Sequence, residues 1–403
     1  MKNKIYIHTM YYLPEFGSAP ILMRELAVFL SRRGYQVEVI STLPRPPHHR
    51  DYRWKIVDVK KEDGFIVRRY RTNFTVHHIG RLIAWSMYTL WSIWNLRRVK
   101  NGDVVLLRLP PLQLGVVGFV ANKLLKIKIV LSVQDIHPDL SIQSGLLKNV
   151  YAIKAALAFE KWIYTQSDAI IVISEGFKQN LMAKGVCKNK LFIIANWVDT
   201  DFLCPYPKEN KIARKFDLHD RFVLMYSGTI TLSSYKTLKK IMKAVKDLKD
   251  EERILLVIVG EGLKKPDLEA EAKRLGLKNI LFLAFQPYED LPYLLASSDI
   301  LLVPLDREKT QLSVPSKLYN YMSVGKPILT TSDKGSEVAR IIREAGCGFY
   351  TDPEDEGTIS STIKNLLDSP KQLDVMGNNS RTYVIENYSR DNILSLYEKI
   401  LTE

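Results

Sequence analysis

Cysteine is scarce in this chain. Cys187, Cys204 and Cys347 are the whole complement, too few and too scattered for a disulfide framework or a zinc cluster, a usage that fits a reducing compartment. Both common phosphate-loop signatures are missing: no G-x-G-x-x-G and no G-x-x-x-x-G-K-[ST] occurs, which argues against a dinucleotide dehydrogenase and a P-loop ATPase. Zinc-finger spacing, a basic-zipper run and an RNA-recognition motif are absent too, so nucleic acid is not an expected partner. The charge-free run 82–96 falls short of the roughly 20 residues needed to cross a bilayer. The opening "MKNKIYIHTMYYLP" has basic residues, but its apolar run is short, broken by His8 and without a small-residue cleavage site. It reads as a first strand and not a signal peptide, so a cytoplasmic location is the expectation.

What is present points to a large globular chain. Its 403 residues, 46% hydrophobic and 25% charged, suffice for two domains. The 58 basic against 44 acidic residues leave a net charge of +14, which favours anionic partners such as phosphorylated metabolites or anionic lipid. A solvated basic surface accounts for most of these lysines.

Apolar, β-branched runs alternate with helix-period segments. "KIYIHTM", "QVEVIST", "DVVLLRL", "IKIVLSV", "DAIIVIS" and "KLFIIAN" lie between helical patterns at 19–33, 111–126, 150–166 and 175–185. Strand–helix alternation of this kind specifies a parallel sheet with crossover helices. After the proline-bearing "CPYPKEN" the pattern resets with "RFVLMYSG", "RILLVIVGEG", "NILFLAF", "DILLVPL" and "KPILTT". The expectation is an α/β protein of two Rossmann-like, doubly wound domains facing across a cleft: 1–205, then 206–386, with 387–403 as a helix packing back toward the first domain.

Ligands of such sheets gather at strand ends. In "YYLPEFGSAP", Gly17 and Ser18 precede a helix whose first amides suit a phosphate, although a plain turn explains one glycine equally well. In "VLSVQDIHPDL", Gln134, Asp135, His137 and Asp139 crowd one loop that could orient a sugar or accept a proton, with a helix cap as the alternative for Asp139. "YSGTIT" puts Gly228 at a strand exit, and in "VIVGEG" Gly260 and Gly262 around Glu261 allow a ligand to approach the backbone.

Taken in order, "YYLPEFGSAPILMRELAVFLSRRGYQVEVIST", "VQDIHPDLSIQSGLLKN", "ISEGFKQNLMAKGV", "NWVDT", "VGEG" and "VPSKLYNYMSVGKP…GSEVAR…AGCGF" resemble a family-four retaining glycosyltransferase of GT-B fold. The resemblance is to the bacterial polysaccharide branch with colanic-acid fucosyltransferases and O-antigen fucosaminyl transferases. It covers nearly the whole chain.

The resemblance implies an acceptor domain followed by a nucleotide-sugar domain, with a UDP- or GDP-linked donor and no metal cofactor. Pro315 fits a helix start, where its missing N–H costs little. Ser316, Lys317 and Leu318 would then line the donor diphosphate. By similarity Asn320 takes the place of the second glutamate of an E-x7-E motif, and Leu312 that of the first. Where many relatives carry arginine this chain has Thr229, and Lys236 corresponds to the family's downstream lysine. Lys317 and Lys236 would supply the positive charge, and Asp135 is the expected catalytic residue on the acceptor side.

The segment "RLIAWSMYTLWSIWNLRRVK" bears on the acceptor. Trp85, Trp91 and Trp94, closed by Arg97 and Arg98, suit a helix lying in an anionic membrane interface, with a buried helix as the alternative. On the first reading the enzyme is peripheral to the inner face of the cytoplasmic membrane. Its product chemistry would be transfer of a deoxyhexose or N-acetylhexosamine, of fucose or N-acetylfucosamine type, to a polyprenyl-diphosphate-linked saccharide. A nucleotide-sugar epimerase of similar shape and a non-catalytic sugar-nucleotide or lipid-binding module are the alternatives.

Overall fold

The structure is a computed structural model describing residues 3–15, 17–45, 52, 54–72, 78–143, 145–248, 251–306 and 314–403. It divides into two units, Met1–Asn196 with Ile393–Glu403, and Trp197–Asn392. The break falls before the expected joint at 205/206, and the last helix, Arg390–Thr402, contributes Ile393 onward to the first unit.

The first unit is built on an eight-stranded sheet of β1 (Lys4–His8), β2 (Gln36–Thr42), β3 (Val57–Glu62), β4 (Phe65–Tyr70), β5 (Val104–Leu109), β6 (Lys128–Val133), β7 (Ala169–Val172) and β8 (Leu191–Ile193). Their order is β3-β4-β2-β1-β5-β6-β7-β8. All neighbours are parallel except the β3–β4 hairpin. A parallel sheet covered on both faces demands continuous apolar strands. β5 meets that demand with all six residues buried, Arg108 among them.

The second unit has six parallel strands: β9 (Phe222–Ser227), β10 (Ile254–Val259), β11 (Ile280–Leu283), β12 (Ile300–Pro304), β13 (Ile328–Thr331) and β14 (Gly348–Thr351). They run β11-β10-β9-β12-β13-β14. Leu224, Leu256, Ile258, Ile300 and Leu302 meet Leu238, Ile241 and Val245 of the helix Leu232–Asp247 in its core.

Strand order reverses at two places, between β1 and β5 and between β9 and β12. Ligands of open α/β sheets bind outside the carboxyl ends of the strands at such reversals. The loops after these strands therefore position the candidate site.

Candidate functional site

In the second unit the reversal is occupied by Lys317. Its helix, Lys317–Ser323, follows β12, and its Nζ lies 3.8 Å above the Tyr226 ring centroid at the end of β9. Gly228, at φ 152°, makes that approach possible: a methyl group on its Cα would overlap the Lys317 ammonium. Below the pair, the buried Tyr321 hydroxyl accepts from the Ser227 amide and donates to its carbonyl, both at 2.9 Å. The Tyr226 hydroxyl donates to the Thr229 carbonyl at 2.8 Å, which sets the loop after Gly228. No carboxylate among the described residues stands within ion-pair distance of Lys317. Burial pushes its ammonium down to about 7. A desolvated cation with no counter-charge among the described residues marks Lys317 as a candidate anion site.

The other expected donor residues divide between facing and supporting roles. Lys236 reaches Asp306, beyond β12, at 3.5 Å, so its charge at the reversal is partly met within the protein. Gly260 and Gly262 serve close packing: added methyls would strike the carbonyls of Gly228 and Ile230. The Glu261 carbonyl accepts from the Ile230 amide, while its exposed carboxylate takes Lys265 at 2.8 Å. Ser316 precedes the helix without a side-chain cap bond. Leu318 does not face a ligand, because its side chain is fully buried and its amide donates to the Pro315 carbonyl at 3.0 Å. The Tyr319 amide is likewise taken by Ser316, at 3.2 Å, so the amides expected to point outward at this helix start are partly consumed. Asn320 lies one turn beyond Lys317 on the same helix face and is half-buried. Leu312 lies outside the described residues.

In the first unit, Gly17 (φ 128°) is exposed and opens the helix Ser18–Arg32 without a side-chain cap. The loop after β6 is better anchored. Gln134 Nε2 donates to the Ser132 hydroxyl at 3.1 Å, and Ser132 pairs at 3.2 Å with the fully buried Tyr397 hydroxyl of the last helix. Arg108, register partner of Ser132, is buried next to them. Burial depresses its guanidinium, opposed by the charge of half-buried Asp135. His137 is held below its ordinary range by burial and by Arg81, with Nδ1 3.4 Å from the Ser141 hydroxyl. Asp139 does more than begin its helix: its carboxylate binds Asn180 at 2.8 Å and Lys184 at 2.7 Å. Tyr226, Tyr321, Asp306 and Arg108 were not singled out by the sequence reading. A tyrosine two residues before a strand-exit glycine, as in "YSG", is the one local signal that could have marked Tyr226.

The tryptophan helix, His78–Asn95, corrects part of the membrane expectation. Trp91 stacks on Tyr70 at 4.8 Å and donates its indole N–H to the Arg71 carbonyl at 3.0 Å, so it belongs to the fold. Trp85 is half-buried edge-on to His137 at 6.1 Å. Arg98 is half-buried, and its carbonyl accepts from the Tyr6 hydroxyl at 2.7 Å. The outward face carries Leu82, Ile83, Leu90 and Trp94, with Trp94 52% exposed and Arg97 3.7 Å over its ring. No helix among the described residues is long and apolar enough to cross a membrane.

Comparison with known proteins bears on the family and the fold. Residues 20–202 match the family described as Glycosyltransferase Family 4, and residues 208–383 the one described as Glycosyl transferases group 1. The putative colanic acid biosynthesis glycosyl transferase WcaI of Escherichia coli (strain K12) is 25% identical over 97% of this chain and 98% of its own. The probable glycosyltransferase WbjE of Pseudomonas aeruginosa is 28% identical over 74% of each. Among solved structures, the sucrose-phosphate synthase of Thermosynechococcus elongatus superposes with a TM-score of 0.78 at 14% identity, covering 99% of this chain and 98% of that one. Anabaena HepE in complex with UDP and glucose gives 0.74 at 16% identity, covering both chains fully. WaaG, described as a glycosyltransferase involved in lipopolysaccharide biosynthesis, gives 0.71 at 17%, covering 99% of each chain.

Proposed function

We propose, for a chain that belongs to the family-4 glycosyltransferases of GT-B fold, that it is a retaining enzyme of bacterial surface-polysaccharide assembly. It moves a deoxyhexose or N-acetylhexosamine, of fucose or N-acetylfucosamine type, from a nucleotide sugar to a polyprenyl-diphosphate-linked saccharide. The observation that carries the reading is the Lys317 ammonium, laid over Tyr226 at Gly228 with no counter-charge among the described residues. WcaI, named for colanic acid, and HepE, solved with UDP and glucose, support the polymer and the donor class.

In this reaction the bond between the anomeric carbon and the diphosphate oxygen breaks. The acceptor hydroxyl bonds to the same face of that carbon, and its proton passes to the departing phosphate. Charge grows on the leaving group, so a cation aimed at it lowers the barrier more than it strengthens ground-state binding. Lys317 has that role, and Asp135 orients the acceptor hydroxyl. The exposed Leu82, Ile83, Leu90 and Trp94, with Arg97, rest on the anionic inner face of the membrane, where the lipid-linked acceptor resides.

Calorimetric titration with UDP- and GDP-sugars, followed by transfer assays on lipid-linked acceptors, tests the reading. A binding donor whose turnover needs an acceptor supports it; binding without turnover on any acceptor overturns it. Asp135→Asn is expected to keep donor affinity and lose transfer.

A further inference from the structure

The first unit contains a cavity of about 430 Å³ that the donor chemistry does not use. Leu82 and Trp85 come to it from the helix His78–Asn95, Leu112 from the turn after β5, and Leu147, Ala156 and Phe159 from the segment beyond the Asp135 loop. Exposed Leu82 and Leu146 mark its mouth. Its volume lies in the range of about 300–1,000 Å³ typical of small-molecule sites. The far wall is firm: Phe159 stacks on Trp162 at 5.8 Å, and Trp162 packs on Phe119 at 5.1 Å.

The lining decides between ligand classes. A saccharide needs many hydrogen-bonding partners, and this wall offers few, chiefly Gln113, His137 and Ser141. It does offer one strongly polar edge. Arg81 stands at the rim with its guanidinium 5.2 Å over the Trp85 ring, His137 stands next to it within the field of Asp139, and the described lining residues include no acidic one. An apolar body with an anionic head matches that distribution. His137 is also only two residues from Asp135, so an occupant of the cavity begins at the loop assigned to the acceptor.

We propose that this cavity takes the first isoprene units of the polyisoprenyl diphosphate carrier, with the phosphate nearest the isoprene chain against Arg81 and His137. The inference rests on the lipid-linked acceptor reading above and adds where the carrier is held. The saccharide end then lies toward the Gln134–His137 loop, and the remainder of the chain leaves at Leu82 and Leu146 toward the exposed apolar face of the same helix.

The test uses the full chain, with farnesyl phosphate as probe, farnesol and inorganic phosphate as partial probes, and phosphatidylglycerol as the competing lipid. Calorimetry is expected to show binding of farnesyl phosphate at least tenfold tighter than of either partial probe. Ala156→Phe, which fills the cavity, should lose at least tenfold of that affinity while keeping the melting temperature and the nucleotide-sugar titration. Arg81→Gln should weaken farnesyl phosphate severalfold and leave farnesol unchanged. On the unaltered protein, a diazirine-bearing farnesyl phosphate should label residues 81–85, 112–113 or 137–159. Labelling confined elsewhere, full affinity in a folded Ala156→Phe variant, or equal competition by phosphatidylglycerol would overturn the proposal. Failure of the transferase reading has a different sign, a wild-type chain that binds no nucleotide sugar.

Discussion

Lys317 and Gly228 act as one device, and their substitutions should differ in kind. On the proposed role, Lys317→Ala would remove a charge-assisted contact and should weaken nucleoside-diphosphate binding by roughly 1.5–3 kcal/mol in calorimetry. Gly228→Ala keeps the cation but puts a methyl where Nζ rests, at a backbone angle that favours glycine. It should displace the ammonium and cost comparable affinity with the charge still present. The titration of Lys317 adds a pH signature. Its folded value is near 7 against an ordinary 10.5, and an anion favours the charged form, so binding takes up a proton above about pH 7. Affinity should therefore fall as pH rises from 7 to 9, and calorimetry in buffers of different ionisation enthalpy should register the uptake. For the free protein the sign is opposite: between about 7 and 10.5 the unfolded chain binds the proton more tightly, so stability rises with pH across that window. Lys317→Met should flatten both profiles. Lys317 was legible in "VPSKLYN", but its exposure was not. Nothing local in those letters states that Leu318 is buried, or that Tyr226, about ninety residues earlier, supplies the ring beneath the ammonium.

Helix faces were the harder part to read. In His78–Asn95 three tryptophans look alike in sequence, yet each meets a different neighbour, because what a helical residue touches depends on elements elsewhere in the chain. Trp91 points at Tyr70 of β4, a strand the sequence reading left out. That strand was missed because β3 and β4 carry Lys60, Lys61, Arg68 and Arg69 where a core strand is expected to be apolar. The buried Arg69 is accommodated by Glu62 at 2.8 Å and by Asp58. A usable signal existed: Asp63-Gly64, with φ of 47° and 89°, is the dipeptide of a two-residue hairpin turn. The helix carries its own prediction. Trp94→Ser together with Leu90→Ser should release the protein from anionic vesicles in a sedimentation assay with little change in melting temperature. Trp91→Ser should do the reverse, lowering the melting temperature through the lost stacking and the Arg71 hydrogen bond. At the other end of the chain, Arg381 on the helix Pro370–Tyr388 donates to the carbonyls of Thr200, Leu203 and Ser323 at 2.8–3.0 Å. Arg381→Ala leaves three acceptors short of a charged donor and should destabilise the second unit by about 2–3 kcal/mol, read from its unfolding transition.

At the scale of the molecule, the strand pattern, the pair of doubly wound sheets and the family were all readable, because buried parallel strands must be continuously apolar and their alternation with helices survives in the letters. Where the chain changes unit was not readable to the residue, since the linker prolines lie beyond the structural break at Asn196. The final segment supplies Ile393, Leu394, Tyr397 and Leu401 to the first unit, all buried. Ending the chain at 392 should therefore lower the unfolding transition of that unit by on the order of 5 kcal/mol or more, at roughly 1.5–3 kcal/mol per buried side chain, while the second transition stays in place in a calorimetric scan. The membership of residues 393–403 also orders events at the ribosome. Tyr397 is synthesised only after every residue from Trp197 to Asn392, so the earliest-made domain waits roughly 10–40 s at ordinary elongation speeds for its last piece.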